Sequence, residues 1–194
     1  MAKWLKINQD LFRQDSPIFY VLLPPIVMRV IGLLSDTHGF FYPRIPEFFS
    51  GCDEIWHAGD IGGVEIIERL ESIATVRAVY GNIDGGVLRK DFPEVAFFTV
   101  EGLKVLMMHI GGYPGRYTSQ AKELIQKYRP GLFISGHSHI LKVVPDNKYG
   151  LLHINPGAAG HSGFHKSITL VRFVIEKARP KDLEMLDIDR YKKI

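Results

Sequence analysis

The sequence lacks most of the features that mark a secreted, membrane-spanning or polyanion-binding protein. It holds a single cysteine, Cys52, in 194 residues. No intrachain disulfide framework can form, and no group of thiolates is available for a structural zinc. Cys52 reads as a small buried filler. Long hydrophobic runs are missing as well. The apolar stretch Ile18–Met28 contains Pro24 and Pro25, and Arg29 closes it. It is too short for a membrane span and carries two helix breakers. Asp10 and Asp15 sit where a signal peptide would be basic, and no small-residue cleavage site follows. A run of Lys and Arg is absent away from the chain ends, and the net charge is only +3. No charged path for a nucleic acid is evident. These absences lead us to expect a cytoplasmic protein that uses no membrane and has no built-in nucleic-acid track.

What is present supports a folded domain. Hydrophobic residues make up 46% and charged residues 23%, enough for a sizeable core, and the length favours one domain. Residues 1–27 read as an N-terminal extension, and residues 28–194 as the domain. Val30–Ser35, Glu54–His57 and Thr75–Tyr80 are short continuous apolar runs of the kind found in strands buried on both faces. Val64–Leu70 between them has helical spacing, which gives the alternation of a parallel sheet. The second half is richer in strands. Val95–Val100 and Leu103–Met108 flank the turn signal Glu101-Gly102, and a helix over Ser119–Tyr128 stops at Arg129-Pro130-Gly131. Leu132–Ser135, Leu141–Val144, Leu151–Ile154 and Ile168–Ile175 complete the strand-like set.

Polar residues fall at the ends of these runs in a consistent way. Asp36 and His38 follow the first, Gly59-Asp60 the second, and Gly81-Asn82-Ile83-Asp84 the third. His109 follows Leu103–Met108, and Gly136-His137-Ser138-His139 follows Leu132–Ser135. Ligands of open α/β sheets bind beyond the carboxyl ends of strands, so these donors read as one site. On an extended segment residues i and i+2 point to the same side, which lets Asp36 and His38 aim at one ion and His137 and His139 do the same. Oxygen and imidazole donors without thiolate suit manganese, iron, zinc, cobalt or nickel. Seven donors are too many for one tetrahedral ion and enough for two that share a carboxylate. Such ions, about 3.5–4 Å apart, clamp the oxygens of a displacement at phosphorus. The isolated His57 and His153 read instead as packed or surface residues.

The strings "SDTHG", "HAGDI", "YGNID", "GHSH" and "INPGAAG" resemble the calcineurin-like metallophosphoesterases, in particular their small single-domain prokaryotic phosphodiesterases, over about residues 28–175. The resemblance implies an α/β fold, a four-layer αββα sandwich of two mixed sheets with a dinuclear metal site at the strand ends. It implies that Asp36, His38 and His139 hold one metal, that Asn82, His109 and His137 hold the other, and that Asp60 bridges them. Asp60, Asn82 and His109 would be the catalytic members, and a bridging hydroxide would attack phosphorus in line. The cofactor would be two divalent ions, manganese first, with nickel, zinc or iron as alternatives. The substrate would be a small phosphate ester, a diester foremost. Homo-oligomerisation is left open.

Three positions depart from the family's habits. Gly63 stands where larger members place a second Asp, an Asp that small members commonly lack too. Ile83 and Gly111 replace histidines seen in many relatives, so no dedicated acid for the leaving group is evident. His161 and His165 are the spare candidates for that role, and Arg116 is a candidate phosphate contact. Asn155-Pro156-Gly157 resembles the family's glycine loop near the metals. The alternatives are a non-catalytic scaffold similar to the retromer subunit of this fold, and a nuclease.

Overall fold

The computed structural model describes residues 28–163 and 166–191. The proposed extension 1–27 and His165 lie outside the described residues. In chain order the elements are β1 (Met28–Leu34), α1 (Ile45–Phe48), β2 (Glu54–His57), α2 (Val64–Glu71), β3 (Thr75–Ala78) and α3 (Gly86–Asp91). There follow β4 (Val95–Val100), β5 (Leu103–Met108), α4 (Ser119–Tyr128), β6 (Leu132–Ser135), β7 (Leu141–Asp146), β8 (Leu151–Pro156), β9 (Ser167–Glu176) and β10 (Arg179–Asp189). Among the described residues no helix is long and apolar enough to cross a membrane.

The strands form two five-stranded sheets, ordered β10-β9-β1-β2-β3 and β4-β5-β6-β8-β7. Each has three parallel strands: β1, β2 and β3 in the first, and β5, β6 and β8 in the second. Antiparallel strands flank them. Alternation along the strands builds three layers of core. Ile31 and Leu33 of β1 meet Val105 and Met107 of β5 between the sheets, around Trp56 and Phe173. Leu34 faces the other way, under α1 and α2 with Ile45, Ile66, Ile67 and Leu70. Leu106 and Met108 face outward beneath Ala121 and Ile125 of α4. The continuous apolar runs are therefore strands buried on both faces, and the molecule is a four-layer αββα sandwich of two mixed sheets.

Two features were not evident from the pattern. The four-residue α1 and six-residue α3 are too short to show a helical period. Among the described residues β10 pairs only with β9, and its register slips between Lys181 and Glu184. Leu183, inside the slipped segment, packs toward the inter-sheet core, and Leu186 and Ile188 pack toward the outer one. The slip erases the alternation that would have announced a strand, and together with the charged residues it protects an exposed sheet edge.

Trp56 anchors the contact between the sheets. It is fully buried, its indole N–H donates to Glu54 Oε2 at 2.8 Å, and Phe98 and Phe173 meet it edge to face at 5.0 and 5.8 Å. Trp56→Ala should lower the unfolding free energy by about 3–5 kcal/mol in urea titrations, as for other large-to-small aromatic deletions in cores. A loss below about 1 kcal/mol would mean that the sheets do not depend on this ring.

Candidate metal centre and the cavity beside it

All the proposed donors leave the carboxyl ends of parallel strands, which open at one edge of the sandwich. Asp36 and His38 follow β1, Asp60 follows β2, Asn82 follows β3, His109 follows β5, and His137 and His139 follow β6. The structure gathers six of them into two groups. Asp36, His38 and His139 form one and Asp60, His109 and His137 the other, with the ligand atoms of each group within 4.8 Å of one another. His139 Nε2 is 3.1 Å from Asp36 Oδ1 and 3.3 Å from His38 Nε2. Asp60 spans the groups: its Oδ1 lies 3.2 Å from His109 Nε2 and its Oδ2 lies 3.9 Å from His38 Nε2. Asn82 shares with His109 the wall of an adjoining cavity of about 230 Å³. Its neighbours on both sides touch Asp60. Ile83 N–H donates to Asp60 Oδ1 at 3.1 Å, and a Cβ on Gly81 would come within 2.1 Å of the same oxygen.

The backbone that achieves this is not the extended one expected from the i, i+2 spacing. Asp36, His38, Asp60, His137 and His139 have φ of 55°, 49°, 55°, 68° and 56°. Left-handed residues other than glycine are uncommon, Asp and His being among the more tolerant. Each costs of order 1–2 kcal/mol, and such residues persist only where the surroundings over-determine them. The alternating turn, and not strand pleating, brings Asp36 and His38 together, and it sends His137 and His139 to different groups, against the shared ion expected of that pair.

The surroundings are explicit. Asp36 N–H, His38 N–H and Gly39 N–H donate to the carbonyls of Gly59, Asp60 and Ile61 at 3.0, 3.0 and 2.8 Å, which carries the β1–β2 pairing past the strand ends. A Cβ on Gly62 would come within 2.3 Å of Gly39 N. The buried Asp84 carboxylate accepts from Ile61 and Gly62 N–H at 3.0 and 2.8 Å and from Gly81 N–H at 2.8 Å, joining the β2 and β3 loops. Asn155 donates to Gly136 O at 2.7 Å and accepts from Gly157 N–H at 3.0 Å. Ala159 and Gly160 N–H donate to Ser35 and Asp36 carbonyls at 2.9 and 3.0 Å. The Asn-Pro-Gly loop thus braces the β1 and β6 ligand loops.

His57 is a further brace. Gly59 N–H donates to its Nδ1 at 3.2 Å, so the neutral ring carries its proton on Nε2 and gives it to Thr37 Oγ1 at 2.9 Å. The Thr37 hydroxyl donates to Ile61 O at 2.8 Å. Complete burial pushes the His57 imidazole down to about 4, which keeps this chain of bonds neutral and unbroken at neutral pH. His57 and Asp84 therefore hold the site without lining it. A buried His or Asp gives no sequence signal of its own, although Asp84 stands inside the G-N-I-D string.

The donors fit divalent cations. Asp36 Oδ1 and His109 Nε2 are buried and make no hydrogen bond, a costly state for polar atoms with no further partner. His109 Nδ1–H donates to Ala58 O at 2.8 Å, which leaves the Nε2 lone pair facing the cluster, as a metal-ligating imidazole requires. Charge tells the same story. Burial pushes the Asp60 carboxyl up, but His109, the Ile83 N–H and His38 outweigh it and hold the group below the usual carboxylate range. Burial pushes the His109 imidazole down, and Asp60 and Asp36 more than reverse this. The pocket concentrates negative charge and draws in positive charge, protons included.

The remaining candidates lie outside these groups. His161 is exposed, and its ring packs 4.0 Å from that of Phe40, two residues beyond His38. Arg116 is exposed on the turn after β5 and lines neither the cavity at His109 nor the smaller one at His137. Gly111 has no room for the histidine of other relatives, since its Cβ would come within 2.4 Å of the buried Phe133 ring. Ile83 is 49% exposed on the lip of a cleft with Val64 and Val87.

Known proteins agree with this geometry. Residues 28–178 match the family model of the calcineurin-like phosphoesterase superfamily domain. A probable metallophosphoesterase of Methanothermobacter thermautotrophicus is 32% identical over 141 residues, covering 66% of this chain and 76% of that protein. One from Methanocaldococcus jannaschii is 30% identical over 135 residues, covering 66% and 67%. The fold is shared with vacuolar protein sorting 29 of Cryptosporidium parvum, at a TM-score of 0.65, 17% identity and coverage of 84% and 98%. An archaeal phosphodiesterase shares it at a TM-score of 0.61, 21% identity and coverage of 82% and 99%. The extent of the family match and the level of identity place this chain in the calcineurin-like phosphoesterase superfamily.

Proposed function

We propose that the protein is a metal-dependent phosphodiesterase that hydrolyses small phosphate esters at this centre. The observation that carries the reading is the convergence of two Asp/His groups on buried, unsatisfied donor atoms at the edge of an open cavity. Asp36, His38 and His139 would hold one cation. Asn82, His109 and His137 would hold the second, and Asp60, with one oxygen toward each group, would join them. A pair of divalent ions supplies Lewis-acid polarisation of a phosphoryl oxygen and an acidified water. The donor set, nitrogen and oxygen with no sulfur, suits manganese, with nickel, zinc and iron as alternatives.

The chain's own part is to fix that charge in place. The braces from His57, Asp84 and Asn155 hold the left-handed donor loops, and preorganised charge is what accelerates displacement at phosphorus. A scaffold of this fold has no need of an intact donor set, and here every donor type is present. The likeness to vacuolar protein sorting 29 is one of fold.

Three outcomes test the reading. Elemental analysis after manganese loading and gel filtration should approach two equivalents per chain. A value near zero on folded protein would remove the basis of the proposal. Asp60→Asn and His137→Ala should each lower turnover of an aryl phosphodiester by about two to three orders of magnitude, the scale of a lost electrostatic contact at the reacting centre, while circular dichroism stays unchanged. Near-full turnover at saturating metal would show that the substituted residue is not a ligand.

The third outcome concerns the leaving group. Ile83 and Gly111 present no acid, and general acid catalysis is typically worth about 10²–10⁴-fold. Aryl esters, whose leaving oxygen departs as a stable anion, should react far faster than alkyl esters. His161→Ala should leave the ratio of aryl to alkyl turnover unchanged. Selective slowing of alkyl esters would instead make His161 the acid.

A further inference from the structure

The cavity beside the second donor group is lined, besides Asn82 and His109, by Tyr80, Arg89, Glu94 and Gln120, over Met108 and Ile110. We infer that Arg89 binds a non-bridging oxygen of the substrate phosphate, and that Glu94 in the same cavity selects esters whose alcohol carries hydrogen-bond donors, as a sugar or nucleoside does. The inference rests on the phosphodiesterase reading and adds the substrate class.

Arg89 is held in a way that leaves its binding edge open. Its Nε donates to Asp84 O at 2.5 Å, and the guanidinium lies over the Tyr80 ring, 4.7 Å from the centroid. Among the described residues its two terminal nitrogens have neither a hydrogen bond nor a carboxylate within ion-pair distance. They are the pair that grips phosphate oxygens in fork geometry. The anchor matters too. Asp84 is the residue whose carboxylate ties the β2 and β3 loops, so Arg89 is fixed to the frame that positions Asp60 and Asn82. Arg116 has no comparable placement.

Glu94 supplies the opposite character. Its carboxylate accepts from Tyr80 Oη and Gln120 Nε2, each at 3.4 Å, and these long contacts leave acceptor capacity for a ligand. A group that reaches this wall is favoured if it donates a hydrogen bond and disfavoured if it is anionic. An unbranched lipid tail offers this exposed carboxylate no hydrogen-bond donor. The cavity of about 230 Å³ lies below the ≈300–1,000 Å³ of sites for drug-sized ligands, which suits one small polar ring.

The test uses the manganese-loaded full chain and three readouts. Calorimetric titration with inorganic phosphate measures Arg89 without any turnover. Arg89→Ala should weaken phosphate binding about tenfold or more with metal content unchanged, and Arg89→Lys should restore only part. Lys90→Ala, exposed on the same helix, should match the wild type. For turnover, thymidine 5′-(p-nitrophenyl phosphate) is compared with bis(p-nitrophenyl) phosphate, which has no donors. The wild type should prefer the thymidine ester in kcat/KM, and Glu94→Ala should cut that preference at least fivefold. Phosphate affinity within twofold of wild type in Arg89→Ala overturns the assignment of Arg89. An unchanged preference in Glu94→Ala, or none in the wild type, overturns the substrate class. A protein that holds two metals and binds phosphate through Arg89 but hydrolyses neither ester would refute the phosphodiesterase reading and leave the anion site standing.

Discussion

Asp36 and Asp60 are buried, 0% and 2% exposed, at the ends of adjacent parallel strands. Two carboxylates buried this close together call for positive charge beside them, and much of the nearby structure answers that constraint. Four imidazoles surround them. His109 is drawn toward its protonated form by both acids, so protons and divalent cations compete for one place. Loading the centre should accordingly release protons. The same constraint explains why Asp36 Oδ2 accepts the backbone N–H of His137 at 3.1 Å. The amide fixes one oxygen, and the other is left for the centre.

Holding these charges requires a backbone that would not persist alone. Five donors adopt left-handed conformations, and together they represent several kcal/mol of local strain. The compensation is distributed. The β1 and β2 loops are laced by backbone bonds, Asp84 binds three amides, and the neutral His57 joins Gly59 to Thr37. Close contacts at Gly62, Gly81 and Gly136 leave no room for side chains between the loops.

Much of this was legible from sequence because the donors sit immediately after buried strands, where a continuous apolar run stops at a polar residue. The strands from Val30 to Ile175 and the helix Ser119–Tyr128 follow from that pattern, and so does the gathering of Asp36 with His38; the spacing alone paired His139 with His137, and only the family resemblance placed it with Asp36 and His38, where the structure has it. The conformation of the loops was not legible. Spacing of two suggests a pleat, and nothing in D-T-H or H-S-H signals alternating positive φ. β10 was hidden by its register slip. His57 and Asp84 were hidden because their role is to tie neighbouring loops, through backbone amides and, for His57, the Thr37 hydroxyl, which leaves no motif. Arg89 was hidden for a related reason. It lies on a six-residue helix with no visible period, and only the fold turns that helix toward the second donor group.

The cavity shows how one edge can separate chemistry from selection. The charged centre is built from strand ends, which the two sheets fix. The cavity walls come from the outer layers: Arg89 from α3, beside the first sheet, and Gln120 from α4, packed on the second. Glu94 lies in the connection that carries the chain from one sheet to the other. If the proposed selection holds, changes in these peripheral residues would alter which alcohol is accepted without moving the donors, because none of them hydrogen-bonds a ligand side chain. Arg89 is the exception in degree, since its Nε is tied to the Asp84 carbonyl and Asp84 braces two ligand loops. A substrate gripped by Arg89 therefore bears on the frame of the metal centre itself, whereas one gripped by Glu94 does not.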